Sequence, residues 1–249
     1  MDIAQQVGRA LREAMDRRRF IKLMLAAGGA AVLGGYATYR LPQTGGSRPE
    51  PPPNSHISAI QNYTGSTTTS APPLTPENLW YVVQIGPTPT VDVGNYALVV
   101  DGLVENPLKL TYKELASLPS VELVTTLQCV SDPYFLRATV KWRGVKLSDI
   151  LNMAGVSKNA VKVVAYGADG YTSDLPLWKA MEPDTLVAYM ADGEPLPSKH
   201  GYPVRLVVPR WWGYKSVKWL VKLTVTDKDY LGYWESVGYP DVARKDGGE

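Results

Sequence analysis

Hydrophobic and polar positions divide the chain into three textures. Leu23 to Tyr39 is an apolar run broken by Gly28, Gly29, Gly34 and Gly35. Residues 41–75 have no apolar periodicity and are dense in Pro, Gly, Ser and Thr. From Thr75 onward, short alternating or β-branched runs recur, punctuated by Pro and Gly.

In that last region Asn95 to Gly102 alternates and then turns, which predicts a strand. Val121 to Leu127 is a β-branched run leading into Cys129, and Val161 to Tyr166, Val204 to Val208 and Trp219 to Val225 predict further strands. Thr111, with Glu114 three residues on, has the form of a capping box and predicts a helix start. Val145 to Met153 predicts a second helix with Leu147, Ile150 and Leu151 on one face. Strands outnumber helices, and the regular βαβ alternation of a doubly wound fold is absent. There is no Gly-x-Gly-x-x-Gly and no phosphate loop, which argues against nicotinamide, flavin or nucleotide binding of the common kinds. No internal repeat is present.

The apolar run is preceded by Asp16-Arg17-Arg18-Arg19-Phe20-Ile21-Lys22, a match to the twin-arginine export pattern. As a helix it would span roughly 25 Å, slightly short for a bilayer core. Its glycines keep it less hydrophobic than a membrane span. Residues 1–40 therefore predict a twin-arginine signal and a periplasmic or otherwise extracytoplasmic location. The alternative is an N-terminal membrane anchor with a basic cytoplasmic flank. Gly35-Tyr36-Ala37 is a weak cleavage site, so an uncleaved tether stays open. Cargo of this route is folded and commonly already loaded with a cofactor. Residues 41–75 read as a linker that cannot bury enough apolar area to order itself.

Charge and scarce residues narrow the chemistry. The formal net charge of +2 is carried by the leader. Residues 1–40 hold seven Lys or Arg against three Asp or Glu, leaving the remainder slightly acidic. A nucleic-acid binder would carry its positive charge on the folded domain, so nucleic acid is not an expected partner. Cys129 is the single cysteine, so no intrachain disulfide forms. Of two histidines, His56 lies in the linker and only His200 in the domain, which excludes multi-histidine zinc sites and bis-histidine haem ligation. A lone cysteine is more often an inert small hydrophobe than a ligand. Redox chemistry here needs a cofactor that one cysteine can hold.

Seven stretches, taken in order, resemble the molybdopterin-binding domain of the sulfite oxidase family. They are Leu98 to Pro107; Leu127 to Ser131 around Cys129; Val140 to Val145; Asp169 to Leu177; Gly193 to Pro197; His200 to Arg205; and Pro209 through Gly213-Tyr214-Lys215-Ser216-Val217-Lys218-Trp219. The resemblance implies an α+β fold with mixed sheets, one domain over residues 76–249, and one molybdenum held by a pyranopterin (molybdopterin). It makes Cys129 the metal's thiolate ligand and a catalytic residue. His200 and Arg205 fall where the family contacts the pterin and its phosphate. Gly213, Tyr214, Lys215 and Lys218 fall on its cofactor-binding loop, and Tyr171 matches a tyrosine facing the metal. Asn78, Trp80 and Tyr81 sit near the N-terminal pterin-contacting segment, where Val83-Gln84-Ile85 replaces the family's Arg-Asn-His.

Elementary chemistry agrees with these positions. A dithiolene-bound molybdenum accepts a soft thiolate, and arginine and glycine-rich backbone suit a phosphate. Trp142, Trp211 and Trp212 are expected to pack rather than to relay electrons, and Tyr233 and Trp234 to cover the domain.

Sulfite-oxidising members hold their dianionic substrate with several arginines. Val130 to Arg137 lacks that pattern, and Asp132 and Asp174 are expected to add negative charge near the pocket unless Arg137 or Arg143 offsets it. Glu249 follows soon after the cofactor loop, so the family's additional C-terminal dimerisation domain is not expected here. Its layout thus resembles the periplasmic methionine sulfoxide reductase catalytic subunit, implying a monomeric enzyme fed by a membrane haem or cytochrome partner. The expected activity is oxygen-atom transfer, reducing a small sulfoxide-type substrate. The alternatives are sulfite dehydrogenation and a non-catalytic, membrane-tethered subunit. A serine hydrolase using His200 lacks the Gly-x-Ser-x-Gly elbow.

Overall fold

The computed structural model describes residues 73–245. The expected export signal or membrane anchor over residues 1–40, and the expected linker up to residue 72, lie outside the described residues. Ten strands form two five-stranded sheets. The first orders β2 (Leu108–Thr111), β1 (Ala97–Gly102), β10 (Leu220–Thr226), β5 (Lys162–Gly167) and β6 (Thr172–Pro176). In it β1 and β10 run parallel and the other pairs antiparallel, so the sheet is mixed. The second orders β3 (Val121–Gln128), β4 (Arg137–Lys146), β7 (Leu186–Ala191) and β8 (Glu194–Pro195), with β9 (Arg205–Val207) also paired to β7. Helices are short: α1 (Tyr112–Ser117), α2 (Leu147–Ala154), α3 (Leu177–Ala180) and α4 (Tyr233–Ser236). None of the described helices is long and apolar enough to cross a membrane.

The five predicted strands are present with their ends shifted by one or two residues. The Thr111–Glu114 capping box starts α1, with both reciprocal hydrogen bonds formed. The second helix starts later than its apolar pattern predicts. Val145 and Lys146 still pair with Val187 and Leu186, so they finish β4, and the helix begins at Leu147. Strands β2, β4, β6, β7 and β8 were not expected. Four of the first five residues of β7 are buried in succession, and such a run has no alternation to read.

Two apolar clusters follow. One joins Leu98 and Val100 of β1 and Leu223 and Val225 of β10 with Leu147, Ile150 and Leu151 of α2. The other gathers Trp80, Leu127, Val140, Trp142, Leu186 and Val207 around the second sheet. Trp142 and Trp211 are packing residues, both almost fully buried. Thr75 ties the start of the described chain to this second sheet through two hydrogen bonds with Thr139.

Gly144 shows how tightly β4 and β7 approach. A Cβ there would lie 2.3 Å from the Val187 carbonyl oxygen, next to a break in register. Gly144→Ala is expected to cost about 1–3 kcal/mol through overpacking, against about 1 kcal/mol for the cap variant Thr111→Ala. Urea denaturation midpoints of the two variants check this order, and a midpoint unchanged by Gly144→Ala would contradict it.

Candidate functional site

Strand β3 ends at Gln128 and delivers Cys129 to a braced loop. The Cys129 N–H donates to the Leu136 carbonyl at 2.8 Å, closing residues 130–135 into a turn. Asp132 accepts from the N–H groups of Tyr134 and Phe135, and Gln128 Nε2 donates to the Pro133 carbonyl. Ser131 Oγ stands 3.0 Å from Cys129 Sγ. The loop thereby fixes a partly buried thiol.

Two remote segments bring phenols to that sulfur. Tyr81 lies close enough for Cys129 and Arg205 to act on its ionisation, and burial drives its pKa well above the ordinary phenol value. Tyr239 is likewise raised, chiefly by burial and further by Cys129. Gly213 completes the wall. A Cβ there would lie 2.7 Å from Tyr81 Oη and 3.1 Å from the Gln128 carbonyl oxygen, so a larger residue would have to displace the Tyr81 hydroxyl. Tyr239 was not foreseen in the sequence. It sits in an aperiodic segment, with 109 residues between it and Cys129, and no local pattern marks it.

Beside this wall lies a cluster of cations. Arg205 is buried with its guanidinium 4.9 Å from the centre of the Trp142 ring. It donates to the carbonyls of His200 (2.9 Å), Ser216 (3.2 Å) and Leu206 (3.4 Å). Burial lowers its pKa to about 10, with Tyr81 opposing. Lys218 donates to Gln84 Oε1 and the Lys199 carbonyl; burial and then Arg205 lower it to about 7. His200 packs edge-on against Trp80 at 5.2 Å; burial, Arg205, Lys218 and Lys199 lower it to about 4. Its imidazole is therefore neutral at pH 7.

The structure thus brings together Trp80, Tyr81, Cys129, His200, Arg205, Gly213 and Lys218 from the sequence-derived set. The remaining candidates face elsewhere. Asn78 is exposed on the 3-10 turn Glu77–Leu79. Tyr171 is nearly buried and donates its hydroxyl to the Tyr214 carbonyl at 2.7 Å. Tyr214 Oη donates to the Pro240 carbonyl. Lys215 is fully buried and bonded to Glu235, Asp241 and the Asp174 carbonyl. Asp174 is fully buried against Lys162 and Lys215, so its charge is compensated inside the fold rather than presented to a pocket, contrary to expectation. Asp132 spends one carboxylate oxygen on capping its own loop.

This arrangement fits a pyranopterin carrying a phosphate. Arg205 and Lys218 form no ion pair with a carboxylate among the described residues, and like charges depress the ionisation of both Lys218 and His200. An anion placed among them would relieve that repulsion. The glycine cradle at Gly213 leaves close backbone approach beside the one thiol.

Comparison with known proteins agrees. A family model described as the oxidoreductase molybdopterin binding domain matches residues 85–234. Oxidoreductase YuiH of Bacillus subtilis is 35% identical over 59% of this chain and 74% of its own length. Sulfite oxidase of Arabidopsis thaliana is 32% identical over 67% of this chain and 51% of its own. YedZ1 of Azospira oryzae, provisionally named a protein-methionine-sulfoxide reductase subunit, is 36% identical over 60% of this chain and 56% of its own. Among solved structures, the sulfane dehydrogenase SoxCD of Paracoccus pantotrophus superposes with a TM-score of 0.60 at 26% identity. That match covers 78% of this chain and 57% of the neighbour. The last three are thus spanned over little more than half their length.

The cation cluster makes cofactor-free stability depend on pH. Lys218 titrates near 7 when folded and near its ordinary 10.5 when unfolded. Below pH 7 both states hold the proton and the folded state bears the full penalty. The penalty fades as pH rises from about 7 toward 10. The thermal midpoint of cofactor-free protein should therefore climb across that window, and Lys218→Met should flatten the climb. An equally steep profile for that variant would refute the assignment.

Proposed function

Because the chain belongs to the oxidoreductase molybdopterin-binding domain family, and so is an enzyme of the sulfite oxidase type built for a molybdenum–pyranopterin cofactor, we propose that it reduces a neutral sulfoxide by oxygen-atom transfer. When bound, the cofactor supplies two-electron oxygen-atom chemistry. Cys129 provides the thiolate ligand. Arg205 and Lys218 take the cofactor's phosphate, the neutral His200 offers a hydrogen bond to the pterin, and the Gly213 backbone closes over it. Trp80 holds the His200 ring in place.

The observation that carries the choice of substrate is the neutrality of the groups around the sulfur. Cys129 adds to the raised pKa of two phenols, Tyr81 and Tyr239. Among the described residues no Lys or Arg is hydrogen-bonded to the thiol. A dianion such as sulfite would need cations there, whereas a sulfoxide oxygen needs a hydrogen-bond donor. Burial keeps both phenols protonated. The substrate-orienting role expected of Tyr171 passes in this reading to Tyr239. The relative named for methionine sulfoxide reduction supports the same choice.

Sulfite dehydrogenation is the second reading. It is favoured by Arg137, which pairs across the ladder with Gln128 next to the ligand. The electrons for reduction come from a partner, and the Arg17-Arg18-Arg19-Phe20 motif supports export through the twin-arginine route to meet a membrane haem protein.

Steady-state assays of molybdenum-loaded protein with a reduced dye and methionine sulfoxide, and with sulfite and an electron acceptor, separate the two readings. Turnover of the sulfoxide at least tenfold above that of sulfite is expected, and the reverse ratio would overturn the proposal. Cys129→Ser should abolish turnover while leaving the far-ultraviolet circular dichroism unchanged.

A further inference from the structure

Behind the wall formed by Gly213 and Tyr239 lies a buried ionic cluster with no part in the reading above. Lys215 Nζ lies 2.7 Å from Glu235 Oε1, 3.3 Å from Asp241 Oδ1 and 2.9 Å from the Asp174 carbonyl. Lys162 Nζ lies 2.7 Å from Asp241 Oδ2, 3.1 Å from Asp174 Oδ2, 2.7 Å from Asp229 and 2.8 Å from the Tyr230 carbonyl. Asp241 thus bridges both lysines. Asp174 Oδ1 also accepts from the Gly232 N–H, and Glu235 Oε1 accepts from Ser173 Oγ. Lys215, Asp174 and Glu235 are fully buried.

The cluster joins three separate pieces of backbone. Asp174 and Lys162 belong to the adjacent strands β6 and β5, Lys215 to the 3-10 turn Gly213–Lys215, and Glu235 and Asp241 to the segment after β10. Two of those pieces also build the wall around Cys129. Gly213 is two residues from Lys215, and Tyr239 is two residues from Asp241. Tyr214 secures the same joint from the other side, donating to the Pro240 carbonyl at 2.6 Å and meeting the Tyr239 ring edge-on at 5.6 Å.

We propose that the Lys162–Asp174–Lys215–Glu235–Asp241 cluster is a positioning device that clamps the Gly213–Lys215 turn to the Tyr239 segment and so sets the place of the Tyr239 phenol beside Cys129. Lys215 accordingly acts through Tyr239 and does not bind the cofactor's anion, since its three donors are directed to Glu235, Asp241 and the Asp174 carbonyl. Two lysines facing three inward carboxylates balance when one carboxyl keeps its proton. Burial, against the pull of Lys215, pushes the Asp174 carboxyl up to about 7, so it holds a proton more tightly than an ordinary carboxylate. A buried pair stripped of one partner leaves an uncompensated charge, so the cluster holds its members in one arrangement. The effect on substrate rests on the sulfoxide-reductase reading; the clamp itself does not.

The test is a double-mutant cycle in the full chain between Asp241→Asn, which removes the bridging charge at constant size, and Tyr239→Phe. In molybdenum-loaded protein, Asp241→Asn should retain molybdenum and pterin at one each per chain. It should lower kcat/KM for methionine sulfoxide roughly tenfold, and the double variant should be no worse than Tyr239→Phe alone. Asp241→Glu should restore part of the loss. In cofactor-free protein the sole cysteine reports position directly. Asp241→Asn should speed alkylation of Cys129 by iodoacetamide to the rate of Tyr239→Ala, with no further gain when the two are combined. Lys215→Met should also keep its pterin if it folds. Additive losses, additive alkylation rates or lost pterin in Asp241→Asn would each overturn the clamp. If wild-type protein fails to turn over the sulfoxide, the reaction assignment falls, while the alkylation cycle still decides the clamp.

Discussion

Arg205 is the charge around which the site is arranged. It is a cation that cannot be neutralised at physiological pH, buried against the Trp142 ring and met only by backbone carbonyls. Carbonyl dipoles and an aromatic face compensate a guanidinium only in part. Burial first, and then the residual positive potential, lower the pKa of His200 and of Lys218, and the same charge bears on Tyr81. A chain that keeps three such groups together, with neither Arg205 nor Lys218 ion-paired to a carboxylate among the described residues, is suited to receive an anion from outside.

The cysteine depends on a different kind of support. Its place is set by hydrogen bonds within a short loop, with the phenols of Tyr81 and Tyr239 and the Gly213 backbone nearby. In the proposed function, the cationic side gives one end of the cofactor fixed charge and the phenolic side is left to the reaction.

Much of this was legible in the sequence, for identifiable reasons. Cys129, His200, Arg205, Gly213 and Lys218 stand in short, ordered stretches whose residue types leave few alternatives, and the structure gathers them. Tyr239 was illegible because nothing local distinguishes it; only the folding of the segment after β10 brings it near Cys129. Lys215 could be read as a cation on a loop, but its acidic partners come from β6 and the distant segment after β10, so its inward direction was not visible. The start of α2 was misjudged because Val145 satisfies both an apolar helix pattern and a strand partner, and tertiary pairing decided between them. Strand β7 escaped because a sequence buried on both faces shows no period.

The site draws on residues near positions 80, 129, 205, 213 and 239, and no single element contains more than a fraction of it. No partially assembled chain can therefore bind the cofactor as the finished domain does. Whatever free energy binding releases is gained only by the completed domain, and mass action returns it as resistance to opening. Loading and holding shape are in this sense one equilibrium, and the empty chain is the less durable of its two forms.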